Sequence, residues 1–215
     1  MQHGVIFEVE GIRKHSNEWG LWFMPYSISY PEVKKQYTEI LGGDGSVDQT
    51  EIFGKIYYKD RQFQLEFTCE DKKRFDLTVN EIVNFVHGKK AKIIIYDNPN
   101  YYYIGRVSVN EYTSSQRLGT ITIDVVAEPY LYKNDLTVIQ NSITESQTIA
   151  YPNSRMETIP TFKSDKPIHF EFNSSQYSLN GEATMFPNVV FKQGNNTIKW
   201  TGTANVEVSY QEGTL

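Results

Sequence analysis

Apolar residues recur at every second position along much of this chain, the period of a strand with one dry and one wet face. In "RQFQLEFTCE" (61–70), Phe63, Leu65, Phe67 and Cys69 fall on one side, and Gln62, Gln64, Glu66, Thr68 and Glu70 on the other. "TITIDVVAE" repeats the pattern with Ile121, Ile123, Val125 and Ala127. "AKIIIY", "DNPN" and "YYYIGRVSV" read as strand, turn and strand, with Pro99 in the loop, and "NEYTSSQRLG" (110–119) as the turn into the Ile121 strand. One segment changes to a helical period. In "LTVNEIVNFVHGKK" (77–90), Ile82, Phe85 and Val86 share a face, Thr78 and Glu81 have the spacing of a capping box, and Leu77 and Ile82 that of a hydrophobic staple. Gly88 stands where a left-handed C′ residue ends a helix, with His87 in the last turn, where partial positive charge suits the dipole.

Beyond "EPYLYKND" the texture turns polar. Residues 133 to 165 are rich in Asn, Ser, Thr and Gln and carry Pro152 and Pro160, which predicts an exposed joint near 133–150. Short alternating runs then resume: Ile168, Phe170 and Phe172; Ile198 and Trp200; Val206, Val208 and Tyr210. The fold expected is mainly β, with antiparallel strands interrupted by one helix, followed from about 134 by a small β-sandwich without a helix.

Composition agrees. Aromatics make up 14% of the 215 residues, with 15 Tyr and 12 Phe, a bias toward strands. The net charge of −5 and the lack of a Lys/Arg run argue against a nucleic-acid patch. The start, "MQHGVIFEVEGIRKH", has no basic flank with an apolar stretch behind it, so no signal peptide is expected. No apolar run is long enough to cross a bilayer as a helix. Cys69 is the single cysteine, which rules out an internal disulfide.

The densest cluster of glycine and acid is "GGDGSVDQT" (42–50). Counted from Asp44, an EF-hand would need Gly where Gln49 stands and Glu where Lys55 stands. A phosphate loop would need Gly-Lys-Ser/Thr after the glycines, and the acids would repel a phosphate. The remaining reading is a glycine-permitted turn between two strands, with Asp side chains bonding local backbone. His3, His15, His87 and His169 lack metal-ligand spacing, and no G-x-S-x-G or Cys/His signature is present. No cofactor, metal site or catalytic residue is expected. Trp200 alternates with Ile198 and reads as core, whereas Trp19, before Gly20 in an apparent loop, reads as a candidate anchor for a protein interface.

Several pieces, in order, resemble the distal tail protein of siphophages that infect Gram-positive bacteria. They are "WGL" at 19–21, "GGDGSVDQTEIFGKIYYKDRQFQLEF", "FVHGKKAKIIIYDNPNYYYIGRVSV", "AEPYLYK" and the closing "KQGNNTIKWTGTANVEVSYQEGTL". One departure is "YYKDRQ", where members often carry Asn directly before the Arg. The resemblance implies a ring-forming belt domain over 1–132, a β-sandwich with one α-helix and a protruding hairpin, and a small galectin-like β-sandwich over 133–215. It implies a structural, non-catalytic protein of the virion tail tip, assembled as a hexameric ring. That ring joins the tail tube to the tail-associated fibre or lysin protein and to peripheral baseplate proteins, and DNA passes through it without specific binding. No membrane partner is implied. Trp19, Gly43, Asp44, Gly45, Asp48, Arg61 and Arg106 are the candidate assembly-interface residues. A carbohydrate-binding module for host cell-wall polysaccharide is the alternative. It would need polar residues around an exposed aromatic, and this chain has no galectin-type His-Asn-Arg cluster.

Overall fold

The computed structural model describes residues 3–69, 72–114 and 118–215. The chain divides into two compact units, Met1–Leu131 together with Leu215, and Tyr132–Thr214. Its architecture is mainly β, with antiparallel sheets and a single α-helix among the described residues.

The first unit contains β1 (Val5–Val9), β2 (Ile12–His15), a 3-10 turn (Ser16–Trp19), β3 (Trp22–Phe23), β4 (Tyr37–Glu39), β5 (Ser46–Asp48), β6 (Arg61–Cys69), α1 (Lys72–Val86), β7 (Lys90–Ile95), β8 (Tyr101–Ser114) and β9 (Gly119–Ala127). Seven of these strands form one sheet in the order β2-β1-β7-β8-β9-β6-β3. The alternation dictates which face is dry: Phe63, Leu65, Phe67 and Cys69 of β6 are buried, as are Ile121, Ile123, Val125 and Ala127 of β9. Four strand spacings separate β1 from β6, about 19 Å in a flat sheet. Yet the rings of Phe7 and Phe67 lie 6.4 Å apart. The sheet therefore curls until its two halves face each other, and the sandwich is one sheet closed over its own core. β8 assists with a bulge between Val109 and Glu111, the device that bends and twists a strand.

The helix begins earlier than its spacing predicts. Phe75, Val79, Ile82 and Val86 form the buried stripe, so an extra turn forms ahead of Leu77. Thr78 and Glu81 are therefore mid-helix and form no capping box, and Leu77, 71% exposed, makes no staple. Phe75 fits because position 119 is glycine: a Cβ there would stand 2.6 Å from the ring. Gly88 does adopt a left-handed backbone, φ 74°. His87 Nδ1 accepts from the Val109 backbone N–H at 3.1 Å, which ties the end of α1 to β8. β8 runs on to Ser114, so Asn110–Ser114 are strand rather than turn. Residues 115–117 of that expected turn, and Glu70, lie outside the described residues.

β10 (Leu131–Lys133) leads into the second unit, which holds β11 (Thr137–Ile143), β12 (Ser146–Asn153), β13 (Thr161–Ser164), β14 (Ile168–Phe172), β15 (Ser175–Leu179), β16 (Thr184–Met185), β17 (Gly194–Thr201), β18 (Ala204–Tyr210) and β19 (Gly213–Thr214). Two four-stranded sheets, β11-β18-β13-β16 and β12-β17-β14-β15, enclose an aromatic core. Phe162 stacks on Phe170 at 4.8 Å, and Trp200 lies 5.1 Å from Phe170. The polar stretch expected as a joint near 133–150 is instead strand: β11 and β12 are edge strands of the two sheets. At the end of the chain, Glu212 accepts from Lys133 Nζ (3.0 Å), Ser154 Oγ (2.5 Å) and Thr137 Oγ1, and its backbone C=O accepts from the Lys133 N–H.

A candidate assembly arm and its root

The segment between β3 and β6 departs from the core. Met24 donates its N–H to Glu66 C=O at 2.9 Å, and proline follows. Tyr26 stacks on Phe23 (5.1 Å) and donates its hydroxyl to Asp97 at 3.1 Å. Burial and the Asp97 carboxylate push that phenol up to about 12. Beyond Pro31 the chain makes a stem. Lys34 N–H reaches Tyr57 C=O and Lys59 N–H reaches Glu32 C=O, both at 2.8 Å, and Lys59 Nζ pairs with Glu32 at 2.8 Å.

Past the stem, β4 and β5 pair as Tyr37 with Asp48, Thr38 with Val47 and Glu39 with Ser46. "GGDGSVDQT" thus forms the turn of this hairpin and its returning strand. Gly42 (φ 75°) and Gly45 (φ 83°) hold left-handed conformations that a side chain would strain. Asp48 accepts from the Thr50 N–H at 2.9 Å, and the bonds from Thr50 hold its carboxyl below the usual carboxylate range. The hairpin rests on local polar bonds of this kind. No residue from 32 to 60 is buried. Leu41 is fully exposed, Phe53 77% and Ile52 61%, and Tyr37, Ile40 and Val47 are exposed beside them. A two-stranded hairpin without an apolar face to bury is marginal in water.

The predicted interface residues fall into three groups. Gly43, Asp44 and Gly45 lie in the turn at the tip of the arm, and Asp48 stands at the other end of β5, paired with Tyr37. Arg61 stands at its root, 4% exposed. It donates Nε–H to Pro129 C=O at 2.7 Å and lies over the Tyr103 ring, while Nη2 is buried without an acceptor. Desolvation lowers its pKa. Trp19 and Arg106 have work inside the unit. Trp19 lies at the end of a 3-10 turn that His15 caps, and is 7% exposed. It packs on Phe7 and Phe85 and donates Nε1–H to Glu81 at 3.1 Å. It is a core residue, and the exposed tryptophan is Trp22, at 65%. Arg106 donates Nη1–H to Gly88 C=O at 2.5 Å, in the turn that follows α1. The apolar side chains of the arm went unnoticed in the sequence, because they follow neither a two-residue nor a 3.6-residue period.

In the second unit, Trp200 is wholly buried and donates Nε1–H to Tyr151 Oη at 3.1 Å, so it offers no face for stacking a sugar. Among the described residues, no helix is long and apolar enough to cross a membrane.

This architecture, a curled sheet with one helix followed by a two-sheet β unit, is the fold of a hub protein of a phage adsorption apparatus. The crystal structure of the SPP1 Dit protein, a paradigm of the hub adsorption apparatus in phages infecting Gram-positive bacteria, matches with a TM-score of 0.67. That match covers 96% of this chain and 98% of that one at 12% identity, which establishes a shared fold. A chain of the phage P2 baseplate in its activated conformation with Ca aligns over 99% of this chain and 98% of its own, at 8% identity and a TM-score of 0.49, too weak to add to the argument. No protein family matches the chain, and neither does any curated protein.

Proposed function

We propose that this protein is the distal hub of a siphophage tail. Six copies of a belt domain, residues 1–132, form a ring that caps the tail tube and joins it to the fibre or lysin protein. The second domain, residues 133–215, holds peripheral baseplate proteins. The role is structural, in the virion tail tip, and DNA passes through the ring. The observation that carries this reading is the arm. An ordered segment with no buried residue from 32 to 60, bearing exposed Leu41, Ile52 and Phe53, is what a subunit that completes itself against neighbours requires. The fold shared with the SPP1 hub protein supports it. So does the net charge of −5, since each Lys or Arg neutralising a phosphate would add affinity for DNA in transit. The rival reading, a carbohydrate module, loses its best stacking aromatic in the buried Trp200.

Negative-stain electron microscopy of the concentrated protein tests this reading. Class averages should show six-fold rings with an open centre. Compact two-fold particles would contradict it.

A further inference from the structure

β6 is paired unevenly. β9 covers one side along its whole length, from Arg61 opposite Ala127 to Cys69 opposite Gly119. On the other side β3 pairs only with Phe67 and Thr68, and the Met24 N–H adds a bond to Glu66. The Glu66 carbonyl faces this outer side, so by alternation the backbone groups of Gln62 and Gln64 face it too. Among the described residues none bonds them there. Proteins guard such edges with proline, lysine or a bulge. Arg61–Leu65 has none of these and is a regular strand.

A second gap lies at the start of the same edge. The Arg61 guanidinium is buried, forms no ion pair among the described residues, and leaves Nη2 without an acceptor. An acidic segment arriving at this edge would offset the buried charge. The arm has the matching needs. Among the described residues β4 and β5 pair only with each other, which leaves both outer edges of the hairpin bare. Between Glu39 and Gly54 it carries Glu39, Asp44, Asp48 and Glu51 and no Lys or Arg.

We propose that the open edge of β6 receives a strand of the β4–β5 hairpin from a second copy, so that adjacent subunits share a β-ladder. The contact is head-to-tail, the kind that closes into rings. It rests on the ring reading and names the surfaces that meet. Main-chain bonds at Gln62 and Gln64 fix the strand, the acidic tip lies toward Arg61, and the apolar side chains of the hairpin gain a neighbour.

Cysteine pairing in the full chain tests this proposal. Gln64→Cys protein is mixed with protein carrying a single cysteine in place of Tyr37, Thr38, Glu39, Ser46, Val47 or Asp48, each in turn, and oxidised at high concentration. The native Cys69 is buried and contributes little background. A disulfide requires Cα atoms within about 7 Å, so it reports direct adjacency. At least one mixture should give a covalent dimer of the two different proteins, with none from either protein alone. Gln64→Pro provides a second test, since it deletes an N–H that no ladder bond uses in the single chain. Its melting temperature should match the parent's while oligomers are lost. If the parent forms rings, no mixture cross-links and Gln64→Pro assembles normally, this proposal fails and the ring reading stands. A parent that stays monomeric at every concentration overturns both.

Discussion

Tyr151→Phe removes a buried hydroxyl of the second unit that accepts from Trp200 and also meets the Asn141 side chain. Tyr151 and Trp200 are both wholly buried, and Tyr151 Oη accepts the indole N–H at 3.1 Å. Burial pushes the phenol up to about 12, so it is a neutral partner throughout the physiological range. The substitution keeps the ring, its stacking on Phe191 at 5.8 Å and nearly all of its volume. What remains is an indole donor with no acceptor in an aromatic core. Stranding such a donor costs about 1–3 kcal/mol. At the middle of that range, and at about 4–8 °C per kcal/mol for a unit of this size, its transition should fall by about 8–16 °C. Scanning calorimetry of the full chain measures this, with Tyr177→Phe as control. The Tyr177 hydroxyl makes no hydrogen bond among the described residues, so that variant should stay within about 0.5 kcal/mol of the parent. A Tyr151→Phe protein that melts with the parent would refute the argument that this bond supports the core.

Other consequences follow from single side chains. Gly105→Ala should destabilise the first unit by about 1–3 kcal/mol in urea unfolding, because its Cβ would stand 2.8 Å from Val126 O and 2.9 Å from Ala127 Cα, backbone atoms that cannot step aside. Arg61→Met should leave stability unchanged or raise it, since it replaces an unpaired buried charge with an apolar chain; loss of assembly in the same protein would mark the guanidinium as part of the interface. Glu212 is pushed up by burial but pulled down more strongly by Ser154, Thr137 and Lys133, for a net lowering from 4.5. Its contribution is therefore fully present above pH 4.5 and lost as pH falls through the lowered folded value, and Glu212→Gln should flatten the acid limb of a melting-temperature profile.

What the sequence made legible follows from what each segment buries. β6 and β9 could be read because one face of each meets the core and the other meets water, which writes the alternation into the chain. The start of α1 was misplaced because the Thr78–Glu81 spacing also suits mid-helix positions, and only tertiary packing shows that Phe75 has a glycine-lined slot. β11 and β12 read as a polar joint because edge strands bury little: in fifteen residues only Ile143, Tyr151 and Asn153 are buried. Trp19 read as an exposed anchor because it precedes a glycine in an apparent loop, whereas the 3-10 turn that ends there points its indole inward. The arm was least legible. A segment that buries nothing within its own chain is under no pressure to show a period, and its apolar residues make sense only against a surface supplied by another molecule.

The central claim is that the arm serves assembly and not the fold of the chain that carries it. Replacing Tyr37–Asp48 with a short Gly-Ser linker, then measuring particle mass by sedimentation from dilute to concentrated solution, tests this most directly. The parent should rise from monomer toward a six-subunit mass with no stable dimer, while the armless protein stays monomeric with an unchanged melting temperature. An armless protein that still assembles, or one that unfolds, would contradict the account.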